Sequence, residues 1–171
     1  MRLAAPRPWL LLGLLLALST NAFGAEAEPP VDGSVQPPAV ILQPGPEYAD
    51  EVRMFQGIPG IERAPGGRLW VTWYGGGVTE DLHNYVMLVT SGDDGATWSK
   101  LAMVIDPDGD GPCRAFDPCL WHDPTGRLWL FWAQRDRGVH LWAMVTENSD
   151  DASPTWSPPR PQAYFSASVS V

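Results

Sequence analysis

The sequence predicts an all-β fold built from two similar antiparallel sheets, and three observations support this prediction. Two segments recur: "SGDDGATW" at 91–98 returns as "SDDASPTW" at 149–156, and "PGGRLWVTW" at 65–73 returns as "PTGRLWLFW" at 124–132. The displacements, 58 and 59 residues, agree to within one residue. The segments around them are rich in β-branched and aromatic residues. Finally, 17 glycines and 18 prolines interrupt the chain too often for long helices.

The N-terminal residues are typical of a targeting segment. Arg2 and Arg7 precede an apolar run at 9–18 that ends in small residues, which predicts a secretory signal peptide over 1–27 with cleavage after Gly24 or Ala27. This run is too short to anchor the chain in a bilayer. We therefore expect a secreted or periplasmic protein, with no membrane insertion after signal cleavage.

The rest of the chain divides into a leader and the repeats. The proline-rich residues 28–52 predict an extended leader that packs on nothing. Residues 53–171 hold the repeat units, at about 55–100 and 113–158. Within each unit, the apolar runs at 68–74 and 127–133 predict strands covered on both faces, and the runs at 84–91 and 139–146 predict the next strands.

A sheet of three or four strands that repeats about every 40 to 60 residues is typical of a β-propeller blade. Residues 161–171 have the pattern of a third unit that has only begun. Since a six-bladed ring needs about three times as much repeat, the chain is expected to be an N-terminal fragment of a longer protein.

Composition excludes some partners. The formal net charge is -9, which argues against nucleic acid, because its binding depends on phosphate neutralisation by Lys and Arg. The same charge argues against adhesion to anionic membranes.

The first octet fits the pattern S-x-D-x-G-x-T-W at every specified position, and the second fits it with Ser153 in place of the glycine. The pattern resembles the Asp-box, or bacterial neuraminidase repeat, of the sialidase (neuraminidase) superfamily, and the resemblance covers about 55–156. It implies a six-bladed β-propeller, of which this chain holds about two blades and the start of a third. The octets are then structural hairpins between outer strands, with the tryptophan packed into the blade, and not the active site.

The resemblance also implies a carboxylate-binding arginine, and here the sequence departs from the pattern. Sialidases carry Arg-Ile-Pro on the first inner strand, whereas this chain has Gly57 before Ile58 and Pro59. Recognition of a sialic acid carboxylate is then in doubt unless Arg53, Arg63 or Arg114 takes over. The alternative is that these arginines are solvated surface groups.

By the same resemblance, the loop after the second strand of the first blade holds the aspartate acid/base. "YGGGVTEDLHN" at 74–84 offers Glu80 and Asp81, and Asp81 is favoured because the family uses Asp. A glycosidase needs one carboxyl group that protonates the leaving oxygen. The alternative is a solvated acidic loop. The nucleophile, a tyrosine paired with a glutamate, would lie in later blades.

Other residues near the inner strands are candidates for substrate binding. Asp117 opens the second inner strand, and with Arg114 it would hold sugar hydroxyls or form a structural ion pair. Tyr74 and Trp121 would stack on a pyranose ring or pack in the core. The partner implied is a glycan or oligosaccharide substrate.

The loop 106–117 has spaced aspartates that favour calcium. Asp106, Asp108 and Asp110 alternate, Gly111 follows, and Asp117 takes the twelfth position. Strands on both sides and Pro112 in the middle favour an acidic surface loop instead. No cofactor is required for the predicted chemistry, and calcium is the one candidate.

Cys113 and Cys119 are the only cysteines. In an exported protein an even pair predicts a disulfide. The alternative is two buried thiols, because a disulfide needs Cα atoms within about 7 Å.

Together these features predict an exported exo-glycosidase, similar to sialidases, that cleaves a terminal sugar. The alternative is a propeller that only binds glycan or protein and has lost the catalytic site. Gly57 favours the alternative for sialic acid in particular.

Overall fold

A computed structural model describes residues 30–109 and 111–162. In these ranges the chain forms two antiparallel sheets and three short 3-10 helices, at Gly33–Val35, Pro46–Tyr48 and Asp50–Val52. The predicted all-β fold class is confirmed. The predicted signal peptide and the predicted start of a third unit, at 163–171, lie outside the described residues. Within them, no helix has the length and apolar composition needed to span a membrane.

Sheet A contains the first repeat and has the strand order β1-β5-β4-β3-β2. Its strands are β1 (Ala39–Ile41), β2 (Gln56–Arg63), β3 (Leu69–Gly75), β4 (Tyr85–Ser91) and β5 (Met103–Asp106). Strands β2 to β5 follow one another in a simple meander, and β1 is added to its outer edge.

Sheet B contains the second repeat and has the order β6-β7-β8-β9. Its strands are β6 (Arg114–His122), β7 (Leu128–Arg135), β8 (Val139–Thr146) and β9 (Arg160–Pro161). The two sheets therefore have the same meander topology. The repeated sequence explains why: the turn before β3 and the turn before β7 both place a glycine, Gly67 or Gly126, at positive φ.

The core lies between the two sheets. Alternate residues of the strands point to this layer, and the largest of them are fully buried tryptophans, Trp70 from sheet A with Trp132 and Trp142 from sheet B. Each such side chain stabilises the fold by roughly 1.5–3 kcal/mol through burial. The inner strands β2 and β6 pack beside each other at one edge of this layer.

The prediction that the leader packs on nothing is wrong for its described part. Strand β1 pairs with β5, and Tyr48 is buried against Met87 and Val104 on the outer face of sheet A. Ser34 is also buried, and its Oγ lies 2.9 Å from His140 Nδ1 on sheet B. The prediction failed because proline limits strand pairing without preventing it at a sheet edge.

The first octet, at 91–98, forms a tight turn between β4 and β5. Asp93 Oδ1 accepts hydrogen bonds from Ser91 Oγ and Thr97 N at 2.8 Å each, and Oδ2 accepts one from Thr97 Oγ1 at 2.5 Å. These hydrogen bonds, those from Thr97 first, lower the pKa of Asp93 to about 2. Gly95 has φ +86, the backbone freedom expected of this position.

The second octet, at 149–156, links sheet B to sheet A through hydrogen bonds. Ser149 O accepts a hydrogen bond from Trp70 Nε1 at 2.7 Å, and Asp150 O accepts one from Arg68 Nε at 3.0 Å. Asp150 Oδ1 also accepts from Gly66 N at 2.8 Å. The turn before β3 therefore forms hydrogen bonds with the octet of the next repeat.

Candidate functional site

The inner strands carry matching irregularities. Strand β2 has a bulge between Gly57 and Gly60, and β6 has one between Phe116 and Cys119. Ile58 and Asp117, each followed by proline, have φ of 51 and 49, although neither is a glycine. This backbone costs about 1–3 kcal/mol per residue and is concentrated at functional sites. Pro59 and Pro118 therefore occupy equivalent positions in the two repeats.

A cleft of about 550 Å³ opens at the ends of β3 and β7, beside the start of β6. It is lined by Glu80, Asp81, Leu82, Arg114, Arg135 and Asp136. The loop 76–84 supplies the acidic wall, and the opposite wall comes from sheet B. The structure thus brings together both candidate acids and one of the candidate arginines.

Asn84 holds this loop in place. It is buried, and its Nδ2 donates to Gly76 O at 2.8 Å and to Thr79 O at 3.0 Å. Its Oδ1 accepts from Asp81 N at 2.9 Å and from Arg114 Nη1 at 3.2 Å. One side chain therefore satisfies four groups and ties the acidic loop to β6. The sequence analysis missed Asn84, although an asparagine after a glycine-rich loop is a known way to satisfy loop carbonyls.

Arg114 is 8% exposed, and its guanidinium lies over the ring of Phe116 with Cζ 4.0 Å from the ring centroid. Its Nε is buried without a hydrogen-bond partner among the described residues. Arg135 stands directly opposite Arg114 in the β6–β7 register and also lines the cleft. Like charges opposite each other destabilise a sheet, and the carboxylates of Glu80, Asp81 and Asp136 belong to the same lining as these two arginines.

Tyr74 is almost fully buried, and its Oη donates a short hydrogen bond to Glu80 Oε1. Its ring contacts Phe55 and Phe116. Burial first, and then the hydrogen bond and charge of Glu80, raise the pKa of Tyr74 to about 12. The phenol therefore keeps its proton at neutral pH, so Tyr74 positions Glu80 and packs in the core. Stacking of its ring on a sugar is inconsistent with its 1% exposure.

Asp81 is half-buried at the cleft, where its Oδ1 accepts a hydrogen bond from His83 N at 2.9 Å. Gly77 lies against it: a Cβ added there would stand 2.4 Å from Asp81 Oδ1. Only glycine allows this approach. The hydrogen bonds seen for this carboxylate in the described part of the chain use Oδ1, so Oδ2 faces no protein donor there.

Other predicted residues lie elsewhere. Arg53 binds Tyr48 O and Asp50 Oδ1 at 2.6 Å each, so it anchors the segment before β2 and does not line the cleft. Trp121 is 47% exposed, on the face of sheet B that points away from sheet A. Asp117 is exposed at the bulge of β6, and its negative charge contributes to the raised pKa of Tyr74. Its predicted ion pair with Arg114 is not present among the described residues.

The proposed calcium loop uses its carboxylates internally. Asp106 accepts from Tyr48 Oη and Gly109 N, each at 3.0 Å, and Asp108 accepts from Gly111 N and Cys113 N. Burial raises the pKa of Asp106. No cluster of three metal-ligating side chains occurs in 30–109 and 111–162. Asp110 lies outside the described residues, so the calcium site stays a prediction.

The predicted disulfide is wrong, because Cys113 and Cys119 are both free. Cys113 immediately precedes β6 and Cys119 lies within it, and an extended strand separates residues six apart by up to about 20 Å. The alternative of two buried thiols is right for Cys113 alone, since Cys119 is exposed. Burial raises the pKa of Cys113 to about 12.

Comparison with known proteins shows the fold. No family model matches the sequence, and no curated protein is similar to it. A solved structure named "Hadza microbial sialidase Hz136" superimposes with a TM-score of 0.53 and 24% sequence identity. The match covers 66% of this chain and 27% of that sialidase. The described sheets therefore have a sialidase-like fold and correspond to about a quarter of that protein's length.

Proposed function

We propose that the chain belongs to an exported, sialidase-like exo-glycosidase that hydrolyses a terminal sugar of glycans. In this proposal its two sheets are adjacent blades of a six-bladed propeller. One observation carries it: Glu80 and Asp81 of the loop 76–84 and Arg114 of β6 converge on one cleft at the strand ends. The likeness in fold to a sialidase supports the proposal, while fold alone does not establish an activity.

Asp81 is the general acid in this proposal. A glycosidase needs a carboxyl group that protonates the leaving glycosidic oxygen, and Asp81 lies half-buried at the cleft with Oδ2 facing no described donor. Glu80 accepts the Tyr74 hydroxyl and is the second candidate. Arg114 and Arg135 would bind an acidic group of the substrate. They would take the place of the arginine that sialidases carry where this chain has Gly57.

Asp81→Asn tests the assignment in the protein at its full natural length. We expect release of terminal sugar from chromogenic glycosides, sialosides included, to fall by about 10²- to 10⁴-fold in kcat, because this is the usual contribution of a general acid.

Asp94→Asn is the matched control, because Asp94 is an exposed carboxylate on the first octet, at the other end of sheet A. It should retain full activity. Glu80→Gln should lower activity less than Asp81→Asn does. Unchanged turnover in Asp81→Asn would contradict the assignment and leave Glu80, Asp117 or a residue outside this chain as the acid.

A binding protein without catalysis is the second candidate. Two observations favour it: Gly57 occupies the position of the arginine, and the Asp81 carboxylate accepts a hydrogen bond within its own loop. In that case no glycoside in the panel would be hydrolysed, whereas glycan binding would persist and would be lost in Arg114→Ala.

A further inference from the structure

A second cavity lies at the opposite end of the sheets from the cleft. It measures about 610 Å³ and is lined by Arg68 and Trp70 of the first repeat, by the first octet and by the second octet. Leu69 pairs with Ser91 at this end and Gly75 with Tyr85 at the cleft. Seven residues of β3 thus separate the two sites by roughly 20 Å. The volume is within the range of small-ligand sites.

Trp98 gives this cavity an exposed aromatic wall. The equivalent tryptophan of the second octet, Trp156, packs on the core and meets Trp70 edge to face at 6.2 Å. Trp98, in contrast, is 44% exposed, although the sequence analysis expected both to be packed. The ring lies over Gly95, where an added Cβ would stand 3.5 Å from Cζ2. Because Trp98 is 44% exposed, much of the indole surface is open to a ligand.

The charged groups of the cavity are all basic. In a chain of formal charge -9, the charged residues among its lining are Arg68 and Lys100, and no Asp or Glu belongs to the lining. Arg68 is held by hydrogen bonds from Nε to Asp150 O, at 3.0 Å, and from Nη1 to Thr90 Oγ1, at 3.3 Å. Lys100 is exposed and forms no ion pair within the described ranges.

The neighbouring carboxylates of Asp93 and Asp150 do not belong to the lining, and their hydrogen-bond donors are neutral groups of the protein. The Asp93 carboxylate accepts hydrogen bonds from Thr97 and Ser91, and that of Asp150 accepts from Gly66 N. Hydroxyl groups of Thr97, Ser99 and Ser153 complete the rim. An aromatic wall, hydroxyls and two cations are the groups that complement one ligand class: a pyranose ring with an apolar face, hydroxyl edges and a negative charge.

We propose that this cavity is a second binding site, specific for an anionic sugar unit of a glycan. Trp98 stacks on the ring, and Arg68 and Lys100 bind the carboxylate or sulfate. The site does not depend on the proposed hydrolase function, since it shares no residue with the cleft.

Lys100 is the only lysine in the sequence, which gives a direct test. An amine-reactive ester should label Lys100 and the N-terminal amine, and mass spectrometry measures both rates. Four probes are compared on the full chain: trigalacturonate, sulfated maltotriose, maltotriose and inorganic sulfate. We expect trigalacturonate or sulfated maltotriose to slow labelling of Lys100 several-fold, with the N-terminal rate unchanged. Whichever of the two protects identifies carboxylate or sulfate as the charge recognised.

Two variants, each with a control variant, complete the test. In Trp98→Ala the protection of Lys100 should be lost, whereas Leu141→Ala, which truncates a side chain of similar exposure on sheet B, should keep it. In Lys100→Gln, equilibrium dialysis should show several-fold weaker binding of the protecting probe, and Arg160→Gln should bind it as the wild type does. The proposal is overturned if no probe protects Lys100, if maltotriose or inorganic sulfate protects equally well, or if Trp98→Ala keeps full protection.

Discussion

Asp93 shows how one side chain fixes a turn. Its carboxylate gathers three hydrogen bonds from Ser91 and Thr97, and the pKa is lowered to about 2 because these donors favour the charged form. A lowered pKa in the folded state means that this stabilisation is present above the unfolded pKa and is lost as the pH falls through the folded pKa.

Thr97→Val removes the hydroxyl donor while it keeps the β-branched shape. We expect the pKa of Asp93 to rise from about 2 towards its ordinary 3.8, because the largest cause of the shift is the Thr97 hydroxyl. The ¹³C carboxyl shift of Asp93, followed by NMR between pH 1.5 and 6, measures this. Asp123, whose hydrogen bonds come from Thr125, Trp129 and Arg127, should titrate unchanged. An unmoved Asp93 would refute the assigned cause.

At the scale of an element, the loop 76–84 depends on a single buried amide. Asn84 satisfies two carbonyls of the loop and accepts from Asp81 N and Arg114 Nη1. Removing one partner from buried polar groups costs about 1–3 kcal/mol. The cleft therefore takes its shape from a residue that does not line it.

Asn84→Ala should lower the free energy of unfolding by about 1–3 kcal/mol, because it leaves buried donors and acceptors unpaired. Urea denaturation measures the loss, and amide hydrogen exchange should accelerate most in the loop 76–84. The neighbouring exposed residue gives a control: His83→Ala should change the unfolding free energy by less than about 0.5 kcal/mol. Equal effects of the two variants would contradict the role of Asn84.

At the scale of the whole molecule, sheet B buries one face against sheet A, and within residues 30–109 and 111–162 its other face is left open. Trp121, Phe131 and Leu141 belong to the open face, where Trp121 is 47% and Leu141 40% exposed. Trp129 and Phe131 stack there with ring centroids 5.8 Å apart. Contiguous apolar surface of this kind promotes association.

We expect this chain to self-associate at micromolar concentration. Trp121→Glu should shift the sedimentation velocity profile towards monomer, because a charge on this face would have to be desolvated when two copies come into contact. Val52→Glu places the same charge on an exposed residue away from sheet B and should not shift them. A wild-type chain that sediments as a monomer and melts cooperatively would contradict the open-face argument.

Much of the fold could be predicted from the sequence because its causes are local. The turns before β3 and β7 require glycine at positive φ, the octets carry their own hydrogen-bond partners, and apolar runs fix the covered strands. These features repeat at one spacing, so two like sheets could be predicted without coordinates. Asp81 and Glu80 were predicted differently, from the resemblance to sialidases, which implies an acid/base in the loop after the second strand of the first blade.

What the tertiary structure decided depends on segments far apart in the chain. Strand β1 and Tyr48 pack on sheet A, although their composition alone indicated an unpacked leader. Two octets of nearly one sequence differ because Trp156 packs on the core between the sheets while Trp98 is 44% exposed. Burial and the meeting of distant side chains depend on how the sheets pack together, and local pattern carries no information about that packing.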